Sequence, residues 1–135
     1  MLTLNMTPEL TYAALTILLA VVQIFLPATG RTLQYGPKWN AGPRDAPVAP
    51  PGAVTGRLER AQANLYETLP LFLGAVLIAH VAGEDGFLTY WGASLYFWAR
   101  VVYVPLYAFG VTGVRSLAFL ASLAGLLMIV AALFI

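Results

Sequence analysis

Apolar residues run in long stretches along this chain, and the polar positions collect between them. A helix that crosses a bilayer takes roughly 20 mostly apolar residues. Four segments approach or exceed that length, at about 10–26, 57–82, 87–110 and 115–135. The first is expected to close at Pro27. The second is uncharged only from Thr68 to Gly83, which is too short alone, so Glu67 is expected inside the bilayer. The third carries Arg100 near its middle, and the fourth has no charge after Arg115. The connection Gly83-Glu84-Asp85-Gly86 is short, so the second and third helices are expected to run antiparallel. The segment 27–56 holds six of the nine prolines and five of the twelve glycines, so it reads as a loop. Within it, Ala46–Pro51 is expected to be extended, and Trp39–Asp45 to fold back over the membrane face. The fold predicted is all-α, one integral membrane domain over residues 1–135, a bundle of four transmembrane helices.

Composition narrows the function. Of 135 residues, 60% are apolar and only 10% are charged, against about 45–50% and about 25% in an average soluble domain. A net charge of +1 makes no basic footprint, so nucleic acid is not expected as a partner. There is no cysteine, which removes disulfides, thiolate metal sites and a cysteine nucleophile. The first apolar segment is expected to stay as a span rather than act as a cleaved signal peptide. Its first ten residues lack Lys and Arg, and its apolar stretch is long.

Charge also suggests orientation. Arg31, Lys38, Arg44 and Arg57 lie between the first two spans, and Arg115 ends the last turn. The N-terminal segment and the Glu84–Asp85 turn have no basic residue. The positive-inside rule then places both termini outside and loop 27–56 in the cytoplasm. Trp39, Phe87, Tyr90, Trp91, Tyr107 and Phe109 would form interfacial aromatic belts.

The informative residues are polar ones at bilayer depth, where an ionisable group costs roughly 2.5–3.5 kcal/mol and is a functional hypothesis by default. Arg60, Asn64 and Glu67 are spaced four and three apart, on one stripe of the second helix. Arg100, Tyr103 and Tyr107 form a similar stripe on the third. Counted from the short turn, Glu67 falls level with Arg100, Asn64 with Tyr103 and Arg60 with Tyr107. Gly74 falls level with Ala93, where two backbones would approach closely. Glu67 and Arg100 are therefore expected to pair. Such a ladder would also serve as polar glue, but glue normally uses Ser, Thr, Asn or Gln rather than two arginines and an acid. A lining for an anionic ligand with one cationic group fits better. His80 lies toward the other end of its helix and reads as an interfacial or packing residue.

At these residues the chain resembles the MAPEG family, the membrane-associated proteins in eicosanoid and glutathione metabolism. The strings that carry the resemblance are Arg60-Ala-Gln-Ala-Asn64-Leu-Tyr-Glu67, Ala99-Arg100-Val-Val-Tyr103-Val-Pro-Leu-Tyr107 and Arg115-Ser116. It covers about residues 10–135, and bacterial members are the most similar, which implies a bacterial inner membrane. The resemblance implies a homotrimer, with glutathione as co-substrate in a cytoplasm-facing site between subunits. It also implies transferase, peroxidase or isomerase chemistry on lipophilic substrates. Arg57, Arg60, Asn64, Glu67 and Ser116 would bind glutathione, with Arg100, Tyr103 and Tyr107 supplied across the subunit interface. Arg115 would stabilise the thiolate, with Tyr103 and Tyr107 as the other catalytic candidates.

Two other readings compete. The same fold can bind or scaffold lipids without catalysis. A small four-span exporter would couple protons through one intramembrane acid, but Glu67 is surrounded by arginines and lies in the second span rather than the first.

Overall fold

The computed structural model describes residues 5–135, and every regular element among them is helical. The order is α1 (Pro8–Tyr35), α2 (Pro37–Ala41), α3 (Ala53–Ala82), α4 (Phe87–Ala108) and α5 (Thr112–Ala132). The ends follow local chemistry. Thr7 caps α1 by accepting the Leu10 amide at 3.2 Å, ahead of Pro8 in the first turn. Gly83 ends α3 at φ 74°, a left-handed geometry that costs glycine little. The Thr89 hydroxyl accepts the Gly86 amide at 3.0 Å and so starts α4.

The first helix does not close at Pro27. It runs two further turns, and Pro27 is buried inside it. Proline leaves the Gln23 carbonyl without its helical donor, but it does not forbid continuation. The residues after it are tied down from outside the helix. Asn40 of α2 donates to Thr32 Oγ1 at 2.8 Å, and the Arg31 guanidinium meets the Glu59 carboxylate of α3 at 2.9 Å. Residues 39–45 turn back on themselves. Arg44 donates to Asn40 Oδ1 at 2.7 Å and lies over the Trp39 ring. Gln34 then holds the extended stretch by accepting the Gly52 amide at 2.8 Å and donating to the Pro50 carbonyl at 3.0 Å.

The surface is inverted relative to a soluble bundle. On α1, Glu9, Thr16 and Gln23 are buried while Ile17, Leu18 and Phe25 are at least half exposed. Buried positions 9, 13, 16, 20, 23 and 27 form one stripe at spacings of four and three. A helix with a small or polar inner stripe and an apolar outer face is built to sit in lipid. α1, α3 and α5 are long and apolar enough to cross a membrane, and the protein is an integral membrane protein. α4 has the length, at 22 residues, and carries Arg100, four tyrosines and two tryptophans among its apolar residues.

The core lies toward the 83–86 turn. Phe72, Ala75, Val76 and Ala79 of α3 meet Ala93 and Tyr96 of α4 and Leu126 and Ile129 of α5. Phe72 and Tyr96 stack with centroids 4.0 Å apart, and the Tyr96 hydroxyl bonds Thr68 Oγ1 at 2.7 Å. α4 and α5 approach each other backbone to backbone at two glycines. A Cβ on Gly92 would stand 2.6 Å from the Gly125 carbonyl oxygen, and one on Gly125 would stand 2.5 Å from that of Gly92. The expected small-residue contact at Gly74 is not there, since a Cβ on Gly74 would meet nothing within 4 Å.

Candidate functional site

Below this core, α3, α4 and α5 leave a cavity of about 600 Å³ between them. That size is ordinary for a small-molecule site. Each helix contributes polar side chains at helical spacing. α3 brings Arg60, Asn64 and Glu67; α4 brings Tyr103 and Tyr107; α5 brings Arg115 and Ser116. Ala63, Phe119 and Leu120 complete the wall. Seven residues singled out from the sequence thus line one cavity of one chain. Tyr103 and Tyr107 line the same cavity as Arg60 within one chain.

The tyrosines organise the cations. Tyr107 receives the Arg60 Nε–H on its hydroxyl at 3.3 Å. Its ring also lies under two guanidinium groups, that of Arg115 at 4.4 Å and that of Arg60 at 5.9 Å. Such contacts exploit the negative face of the ring. Because Arg60 donates to the Tyr107 oxygen, the phenolic proton is left to point elsewhere. Tyr103 packs edge-on against Tyr107, centroids 5.6 Å apart, and carries the Arg100 guanidinium over its ring at 4.3 Å. Ser116 donates to the Thr112 carbonyl at 3.2 Å, so its oxygen still has room to accept.

Three expectations about this region are corrected. Glu67 and Arg100 do not pair. Arg100 instead donates from Nη1 to Asn64 Oδ1 at 2.8 Å. Among the described residues Arg31–Glu59 is the one ion pair, and Glu67 stands exposed on the cavity wall. Counting levels from the turn treats both helices as straight rods. Pro70 lies between the turn and Glu67, and a long arginine side chain reaches a full turn either way. Of the three polar pairs expected to lie level, the Arg60–Tyr107 contact is made.

Arg100, second, is fully buried and does not line the cavity; it stands behind Asn64 and Tyr103. Arg57, third, does not line it either. Its Nη1 donates to the Ala108 carbonyl at 3.4 Å, and its guanidinium packs against Gly110, which has φ 74°. Arg57 thereby buttresses the α4–α5 turn that carries Arg115.

Sequence reasoning missed the apolar wall at Phe119 and Leu120, although Phe119 lies four residues from Arg115 and Leu120 four from Ser116, so each continues the face of a polar wall residue. It also missed the Gly92–Gly125 contact, for which two isolated glycines on different helices gave no signal.

The chemistry of the cavity is asymmetric. Arginine, asparagine and hydroxyl donors dominate, and Glu67 is the one carboxylate on the wall. A ligand that fits is anionic overall, extended over several polar groups, and carries one cation. Above the cavity an apolar groove of about 430 Å³ continues between α3 and α5, past Pro70, Leu71, Gly74, Leu123 and Leu127.

Comparison with known proteins agrees with this picture. A family model described as the MAPEG family matches residues 10–135. No curated protein and no solved structure matches the chain. A match of that extent covers nearly the whole chain, and its last three helices build the cavity. The chain belongs to the MAPEG family.

Proposed function

We propose that this protein is a glutathione-dependent membrane transferase or peroxidase acting on lipophilic electrophiles. The observation that carries the reading is the single cavity in which Arg60, Asn64, Glu67, Tyr103, Tyr107, Arg115 and Ser116 converge. Glutathione has two carboxylates for the donor-rich walls and one ammonium for Glu67. Its thiol is a poor nucleophile until ionised, and a nearby cation or hydroxyl donor favours the thiolate. Arg115 is held on Tyr107 at the cavity wall, so its charge is available to an anion there. The Tyr107 phenolic proton supplies a second donor. In conjugation, the thiolate sulfur forms the bond to an electrophilic carbon, and the electron pair leaves with the displaced group or is protonated.

The apolar groove beside the cavity supports a lipophilic second substrate entering from the bilayer. α4 is the fourth span in this reading, because the short 83–86 and 109–111 connections return the chain between α3 and α5. The basic residues around the cavity end support a cytoplasmic site and termini outside. The exposed apolar faces of α1 and α3 fit contact with lipid, and membership of the family supports a homotrimer in an inner membrane.

The test uses the full chain purified in mild detergent. Calorimetry with glutathione comes first, followed by turnover with a chloronitrobenzene electrophile and with a lipid hydroperoxide. Binding with turnover of either substrate is expected. Binding without turnover would move the protein to the lipid-binding reading of the same fold, and absence of binding would overturn the glutathione assignment.

A further inference from the structure

Arg100 has 0% exposure, and its Nε and Nη2 have no hydrogen-bond partner among the described residues. Its one polar contact is Nη1 to Asn64 Oδ1, at 2.8 Å. No carboxylate among the described residues pairs with it. Arginine offers donors only, so the end of Asn64 that meets it has to be the carbonyl oxygen. The NH2 end is then the end left to the cavity that Asn64 lines. Turning the carboxamide half-way round would set N–H groups against N–H groups. It would also strip a buried guanidinium of its one acceptor, at a depth where that is expensive.

One turn toward the loop, Arg60 offers further donors, and one turn the other way Glu67 offers acceptors only. We propose that Arg100 is a positioning residue that locks Asn64 as a pure donor. The α3 wall then reads a carboxylate at Asn64 and Arg60 beside an ammonium at Glu67, and rejects a carboxamide in the carboxylate's place. A carboxamide would bring an NH2 group to donors that cannot accept from it. Freed from Arg100, Asn64 could turn its oxygen to that NH2 group, and discrimination would fall. The choice of glutathione as the bearer of this zwitterion rests on the function proposed above; the lock itself does not.

The experiment has two arms. The first is a double-mutant cycle on melting temperature with Asn64→Asp, Arg100→Gln and the double variant. An aspartate at position 64 keeps an oxygen toward Arg100, so Asn64→Asp should be tolerated beside Arg100 and should lower Tm in the Arg100→Gln background. Additive effects would overturn the lock. The second arm measures binding of glutathione and of its analogue with the γ-glutamyl α-carboxylate replaced by a carboxamide. Wild type should prefer glutathione. Arg100→Gln should shrink the ratio of the two affinities about tenfold, the scale of one hydrogen bond. Arg100→Lys, which keeps a donor for Oδ1, should restore most of it.

A uniform loss of both affinities would mean that Arg100 serves stability alone. Should Arg100→Gln fail to fold, Asn64→Asp in the otherwise native chain decides, because it presents an acceptor to the cavity. Its preference should turn toward the carboxamide, and an unchanged preference would overturn the proposal. If wild type binds neither compound, the glutathione reading falls, and the stability cycle still judges the lock.

Discussion

The two ends of the bundle follow opposite rules. Near the 83–86 turn the helices close on one another. Gly92 and Gly125 admit no side chain between α4 and α5, and Phe72 and Tyr96 stack with both residues fully buried. Toward the 36–52 loop the same three helices part around a cavity walled by Arg60, Arg115, two tyrosines and Glu67. The closed end satisfies its polar atoms internally, as Thr68 and Tyr96 do for each other. The open end leaves Glu67 without an ion pair and the Asn64 NH2 group without a partner among the described residues. Apolar close packing therefore sets the helix axes, and the unpaired polar groups wait where those axes diverge.

The comparison breaks most severely at the glycine contact. Gly125→Val would drive its Cβ into the Gly92 carbonyl and the Tyr96 amide, at 2.5 and 2.7 Å. Backbone cannot yield as a flexible side chain does, so loss of folded protein is expected, read as aggregation on size-exclusion chromatography. Phe72→Ala empties the stack at the same end and should cost about 3–5 kcal/mol of stability, measured by thermal unfolding in detergent. Its effect on glutathione affinity should be the smaller one.

At the open end the order should reverse. Glu67→Gln removes a charge that makes no ion pair among the described residues, so Tm should barely move. Glutathione affinity should fall about 10- to 100-fold, the scale of a hydrogen bond to a charged group. A large loss of Tm would mean that Glu67 belongs to the packing after all.

Arg115→Ala sharpens the comparison within the site. A cation near the thiolate favours ionisation, so removing it should move ionisation of the bound thiol to higher pH by about one unit, or about 1.4 kcal/mol. Turnover should fall near neutral pH and recover at higher pH, with binding retained. Thiolate absorbance against pH checks this, and superimposable curves would remove Arg115 from the chemistry. The smallest effect is expected at Glu59→Gln, since its partly exposed ion pair with Arg31 is worth about 0–1 kcal/mol.

Much of the site was legible because helical spacing is local. Arg60, Asn64 and Glu67 share a face whatever α3 packs against, and so do Tyr103 and Tyr107. What could not be read was which groups touch. The expected Glu67–Arg100 pair depended on helix register past Pro70, and Arg100 bonds Asn64 instead. The end of α1 was also misread, because residues 28–35 are tied down by side chains outside the helix, Asn40 just beyond it and Glu59 on α3.

The sequence by itself determined that the protein lives in a membrane, that it is helical, and which residue types its polar stripe would offer a ligand. Those properties follow from composition and from the 3.6-residue period, which need no knowledge of neighbours. Only the tertiary structure decided that Arg100 stands behind the cavity and not in its wall, that Arg57 braces the α4–α5 turn, and that Glu67 stands exposed without an ion pair among the described residues. A charge at bilayer depth must find some acceptor, and which acceptor it finds is a matter of ångströms between helices, set by contacts such as Gly92 on Gly125 far along the chain from the charge itself.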